Sequence, residues 1–145
     1  MSDIAHAFFA GRDHAEKSVN KDEQQADQFQ QGAAWVEAIL VPAVKQANEE
    51  MKGSAAALRL VLNLDRRSTN HPHCDFWFVQ TDSPSGQSYD GPKYSINVMG
   101  PGDILLYKAG APGHALGTIS AVGAAEIRAL LREAAKEYGA LYRAE

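Results

Sequence analysis

The chain has 145 residues, of which 22% are charged, and carries a net charge of −4 and a single cysteine. A chain of this length has the ordinary size of one domain and buries roughly 68–70% of the surface its unfolded form exposes, so it needs no disulfide or metal staple. The acidic balance disfavours nucleic acid and anionic membranes, which are held by clustered Lys and Arg, and the lone Cys74 points to a reducing, cytoplasmic setting.

In chain order, Ile4, Ala5, Phe8 and Phe9 form a short amphipathic segment that Gly11 and a polar stretch interrupt. The segment carries Asp3 and no basic region, so it reads as no signal peptide, and no run approaches the roughly 18 apolar residues of a membrane span. Residues 1–19 are expected to be a loosely attached helical segment of a single domain, 1–145. Asn20 and Glu23 have the spacing of a capping box and predict the start of a long helix. Within it Phe29, Ala33, Val36 and Leu40 recur at helical spacing, flanked by Trp35 and Ile39, and make a stripe that should face a sheet. Pro42 offers no N–H to the carbonyl of Ala38, so the helix should kink or restart there before Val44, Ala47 and Met51, and Gly53 should end it.

From Ala57 the period changes to two. Leu58, Leu60, Leu62 and Leu64 point one way, and Arg59, Val61, Asn63 and Asp65 the other. Cys74 to Thr81, with Phe76, Trp77, Phe78 and Val79 in succession, suits a central strand covered on both faces. Tyr94, Ile96 and Val98 form a third strand, and Gly100-Pro101-Gly102-Asp103 turns it into a fourth, Ile104 to Lys108. A weaker strand is expected at Leu116 to Ala121, and a closing helix starts at Gly123 and Glu126. That helix has Ile127, Leu130, Leu131, Ala134, Tyr138 and Leu141 on its apolar face. The long Ser-, Gly- and Pro-rich loop Asp82 to Lys93 is expected to be mobile. The fold predicted is α+β: a long kinked N-terminal helix, a four- to five-stranded antiparallel meander and a C-terminal helix, with the helices packed on one face of the sheet.

Two places could carry function. The first is polar. Asn70-His71-Pro72-His73-Cys74-Asp75 gathers imidazole, thiol and carboxylate, but a zinc site would need a second pair of ligands. His114, the nearest other histidine downstream, belongs to the opposite end of a meander, about 23 Å along a seven-residue strand. The meander does gather Asp65, Arg66, Arg67, His71, His73, Asp75 and Asp103 at one end. There His73 could move a proton with Asp75 or Asp103 orienting it, in a small enzyme or a ligand- or metal-binding protein. Turns collect such residues for solvation alone, and Cys74 reads as a half-buried strand residue, so neither a catalytic role nor a metal or cofactor is assigned.

The second place is a surface. With the leucines of the first strand turned toward the helices, the other face should present Val61, Trp77, Val79 or their neighbours, Met99 and one of Leu105 and Tyr107, an apolar and aromatic patch suited to a partner, with Trp77 and Tyr107 as its anchors. This favours a non-enzymatic protein-binding module, a small acidic adaptor, chaperone-like or inhibitor protein, acting on a protein partner or as a homodimer. A small-molecule ligand is left open, and the residues name none.

Overall fold

The structure is a computed structural model that describes residues 3–81 and 90–141, without the side chains of residues 3 and 13–22. Helix α1 (Asp3–Trp35) runs into a π-helical turn, Val36–Leu40, and then into α2 (Val41–Glu50). Five strands follow, β1 (Ala56–Asn63), β2 (His73–Gln80), β3 (Tyr94–Met99), β4 (Asp103–Lys108) and β5 (His114–Thr118), and helix α3 (Ala124–Leu141) comes last. The strands form one antiparallel sheet in the order β1-β2-β3-β4-β5. The fold is therefore α+β, a meander with helices before and after it in the chain. No described helix is long and apolar enough to cross a membrane.

Three local expectations are corrected. The first helix does not break at Gly11 or begin at Asn20. The backbone is helical from Asp3 through both, because one glycine among Ala, Glu, Lys and Gln costs only about 1 kcal/mol. The Asn20 side chain, and with it the capping box, lies outside the described residues. Strand β2 is central but alternates: Cys74, Phe76 and Phe78 are buried while His73, Asp75 and Trp77 are half-buried. Hydrogen-bonded neighbours on both sides made it central, and burial of both faces does not follow from that. The fifth strand begins at His114, two residues earlier than expected, and stops at Thr118. Of the loop at 82–93, residues 82–89 lie outside the described residues.

Pro42 acts as its chemistry requires. The turn before it widens, so that the Val41 N–H donates to the carbonyl of Val36, five residues back, and α2 starts with the proline in its first turn. The wider turn keeps Trp35, Val36 and Leu40 in one core with Leu58, Phe76, Phe78, Ile96, Ile104, Ile127 and Leu131. Trp35 also donates its indole N–H to the carbonyl of Val122 at 2.8 Å, which ties the π turn to the loop before α3. The end of α3 is tied to the sheet by Glu137, which accepts hydrogen bonds from the Tyr94 hydroxyl at 2.7 Å and from the Lys108 ammonium. Lys108 and then Tyr94 hold the Glu137 carboxyl below its ordinary range. Burial, and after it Glu137, pushes the Tyr94 phenol well above its own. At the helix start, the Gly123 N–H is capped by the Glu126 carboxylate at 2.9 Å.

Strand β1 is an edge, and α2 protects it. Asn48 donates to the carbonyl of Leu58 at 2.9 Å and accepts from the Leu58 N–H at 2.7 Å, so a side chain stands where a sixth strand could pair. Replacing Asn48 by Ala should lower stability by about 1–3 kcal/mol, the cost of two stranded backbone groups. A urea melt measures it, and faster exchange of the Leu58 amide locates it.

Candidate functional site

Register decides what the second face of the sheet carries. Val61 pairs with Asp75, Arg59 with Trp77, Asp75 with Ser95, His73 with Asn97, Ser95 with Tyr107 and Met99 with Asp103. Side chains of directly paired residues share a face. Val61, Trp77, Val79, Met99 and Tyr107 therefore stand together on the face opposite Leu58, Phe76 and Ile96, and none of the five belongs to the core cluster of the described residues. Val61 is 54% exposed and Tyr107 40%, whereas Trp77 and Met99 are half-buried and Val79 is buried. Leu105, paired with Asn97, completes the apolar set. Phe8 and Phe9, which could have covered it, are themselves 64% and 48% exposed.

The middle of the same face is polar and bonded to itself. The His73 ring lies 2.9 Å from Asn97 Oδ1 through Nδ1 and 3.0 Å from Asp75 Oδ1 through Nε2, and Ser95 donates its hydroxyl to Asp75 Oδ1 at 2.5 Å. Four side chains from β2 and β3 thus lie against one another on this face of the sheet. Beside them the Lys93 ammonium lies 4.7 Å from the centre of the Trp77 ring, and Arg59 occupies the paired position on β1. On β4 the Tyr107 ring lies against Gly113, where any Cβ would overlap it. Ser95 and Asn97 went unnoticed in the sequence because their importance lies in a cross-strand register that residue spacing does not encode.

The polar end of the meander divides into parts that do not meet. His73 and Asp75 do come together, but Asp103 does not join them. It lies two strands away, about 10 Å across the sheet, and two residues beyond the Asn97 row. His114 pairs with Leu106 on the core side of the register, so the sheet itself separates it from His73. Asp65 is occupied with its own turn, accepting from the Arg67 N–H at 2.9 Å and its Nε at 3.3 Å. His71 faces a different cleft, together with Arg66, Arg67 and Asn70. Among the described residues no three His, Cys, Asp or Glu side chains are grouped as metal ligands.

Cys74 is fully buried on the core face, and its thiol points to the carbonyl of Ile96 at 3.7 Å. Burial, which outweighs that hydrogen bond, pushes its pKa up to about 12, with Asp75 adding to the rise. An acid whose pKa is raised by folding stabilises the fold below its unfolded pKa and loses that contribution as pH climbs toward the folded value. By about pH 10 the loss from Cys74 should be about 1–2 kcal/mol. The alkaline decline of stability should be shallower in Cys74→Ala, and native protein should resist thiol reagents until it unfolds.

Compared with protein-family models, curated proteins and solved structures, the chain matches none of them.

Proposed function

We propose that the chain is a non-enzymatic protein-binding module, and that its working surface is the second face of the sheet. The observation that carries this is a set of exposed and half-buried apolar side chains around polar ones that contact one another. Val61, Trp77, Met99, Leu105 and Tyr107 surround the closed His73–Asp75–Ser95–Asn97 network. Covering an isolated carboxylate or imidazole is costly because its bonds to water are lost without replacement. Here much of that hydrogen bonding is already internal, so a partner can cover the centre and gain the apolar surround. Aromatic side chains, Met and Arg are the residues enriched at such contacts.

The occupant that fits best is a second copy of the chain. The reading takes the helices to lie on one side of the sheet only, leaving this face to a partner. Arg59 and Lys93 flank Trp77 toward one end of the face, and Asp103 lies at the other end. A two-fold axis through the Asp75–Ser95 region would set the cations of each copy over Asp103 of its mate, the self-complementarity that an isologous dimer requires. Two sheets would then stack about 10 Å apart. In this form the protein is a small acidic adaptor, chaperone-like or inhibitor module that acts as a homodimer.

The alternative is a small enzyme or ligand-binding protein with His73 as the proton-transfer residue, and its support is the contact to Asp75. Against it, the two ring nitrogens of His73 face Asn97 Oδ1 and Asp75 Oδ1, and the Ser95 hydroxyl donates to Asp75, so the side chains such chemistry would use are turned toward one another. Amide spectra recorded over a dilution series separate the two readings. The binding module requires concentration-dependent shifts at Val61, Ser95 and Tyr107 and none at Leu58 or Ile96. Shifts spread evenly over the chain, or none at all, would remove its basis.

A further inference from the structure

At the centre of the sheet face the His73 ring has an oxygen acceptor at each nitrogen, Asn97 Oδ1 at 2.9 Å from Nδ1 and Asp75 Oδ1 at 3.0 Å from Nε2. A neutral imidazole carries one N–H and satisfies one of them. An imidazolium carries two and satisfies both. The arrangement suits the charged ring, and beside a neutral ring Asn97 has to turn its amide so that its NH₂ group meets the bare nitrogen.

Charge decides which form a dimer prefers. With His73 neutral, the centre of the face carries the Asp75 carboxylate, which the Ser95 hydroxyl hydrogen-bonds at 2.5 Å without neutralising. Covering that centre buries a net charge. A two-fold axis through the Asp75–Ser95 region also brings the Asp75 carboxylates of the two copies toward each other, where the water that screened them has been removed. An imidazolium at His73 makes each centre a neutral ion pair and removes both costs.

Other charges stand further off. On β1 the residues paired with His73 and Asp75 are the uncharged Asn63 and Val61, and Asp65 beyond them is turned to Arg67. Arg59 and Lys93 flank Trp77, one row along the strands from Asp75, and Asp103 pairs with Met99 at the opposite end. Tyr107 of β4 pairs with Ser95, and phenols titrate well above the range of imidazole. Helices α1 and α3 meet the sheet on its other side, at Val98 and Tyr94.

We propose that the sheet-face dimer, on the reading given above, is proton-linked: each chain takes up one proton from solvent at His73 as the two faces meet. Association therefore tightens as pH falls through the range in which imidazole gains its proton, and loosens as pH rises.

Sedimentation equilibrium of the full chain at about pH 8 and about pH 5.5 tests the proposal. The wild-type dissociation constant should be at least about ten-fold lower at the acidic pH. His73→Gln, which cannot be charged, should dimerise at both pH values as weakly as the wild type does at the alkaline one. Asp75→Asn, which removes the buried charge, should dimerise at the alkaline pH at least as tightly as the wild type and gain nothing on acidification. Urea melts of both variants show whether the fold persists. Dilution calorimetry of the wild type in buffers of different ionisation heat needs no variant, and near about pH 7 dimer formation should take protons from the buffer. A dimer that forms equally at both pH values and takes up no proton would overturn the proposal and leave the sheet-face reading standing. A pH dependence that survives in His73→Gln would assign the effect to the other histidines and overturn it as well. The absence of a dimer at both pH values would overturn the reading and the proposal together.

Discussion

Replacing Phe76 by alanine should cost about 3–5 kcal/mol of stability, the range for deleting a fully buried aromatic ring. Phe76 has no exposed surface, and its ring stacks on Tyr94 with centroids 5.1 Å apart and planes 7° from parallel. On the sheet it is paired with Leu60 on one side and Tyr94 on the other, so the cavity would open at the centre of the meander. The Tyr94 hydroxyl is in turn held by Glu137 of α3, and slack at Phe76 would reach the closing helix. Urea denaturation gives the number, as a lower midpoint at an unchanged slope. The same experiment on Val61→Ala, at a position 54% exposed, should move stability by no more than about 0.5 kcal/mol in the monomer.

The second large effect concerns association. In the proposed dimer, Trp77→Ala should raise the dissociation constant at least about thirty-fold, the equivalent of one aromatic anchor. Trp77 is set between Arg59 across the strand pair and the Lys93 ammonium above its ring, so a partner would meet a large, fixed, half-exposed surface. Because the side chain is also half-buried in the monomer, the variant should lose some stability too. Sedimentation equilibrium measured well below the unfolding transition separates the two effects. A second change, Gly113→Ala, should act on the same readout by another route. The added methyl would displace the Tyr107 ring from its place on the face and leave the core untouched.

Much of the fold could be read from periodicity. Leu58 and Leu60, then Tyr94, Ile96 and Val98, alternate because one side of each strand is buried, and the stripe from Phe29 to Leu40 follows the helical repeat for the same reason. Pro42 marked the place where the helix would change, although only the structure shows that the adjustment is a π turn preceding the proline. What misled was local composition. Gly11 and the polar residues after it look like a break, yet a single glycine lowers helix stability by only about 1 kcal/mol and forbids nothing. Phe76 to Val79 look covered on both sides because apolar runs in parallel sheets are, whereas here the intervening Trp77 is half-exposed. Leu62 shares its face with Leu58 but is 40% exposed, because it lies near the far end of an edge strand.

The candidate residues divide in the same manner. Strand parity separates Val61 from Leu60, and Trp77 and Val79 from Phe76 and Phe78, but placing Val61, Trp77, Met99 and Tyr107 on one face required the register. His73 and Asp75 could be paired because they are two residues apart on one strand. Ser95 and Asn97, which close their network, required the register between β2 and β3. Asp103 was grouped with His73 because a meander sends both to one end. Two strands of lateral spacing keep them apart.

Sedimentation velocity of the wild-type chain over a wide concentration range tests the sheet-face reading most directly. A reversible species of twice the chain mass, reduced in Trp77→Ala, is the expected result. A single species of one chain mass at every concentration would contradict it.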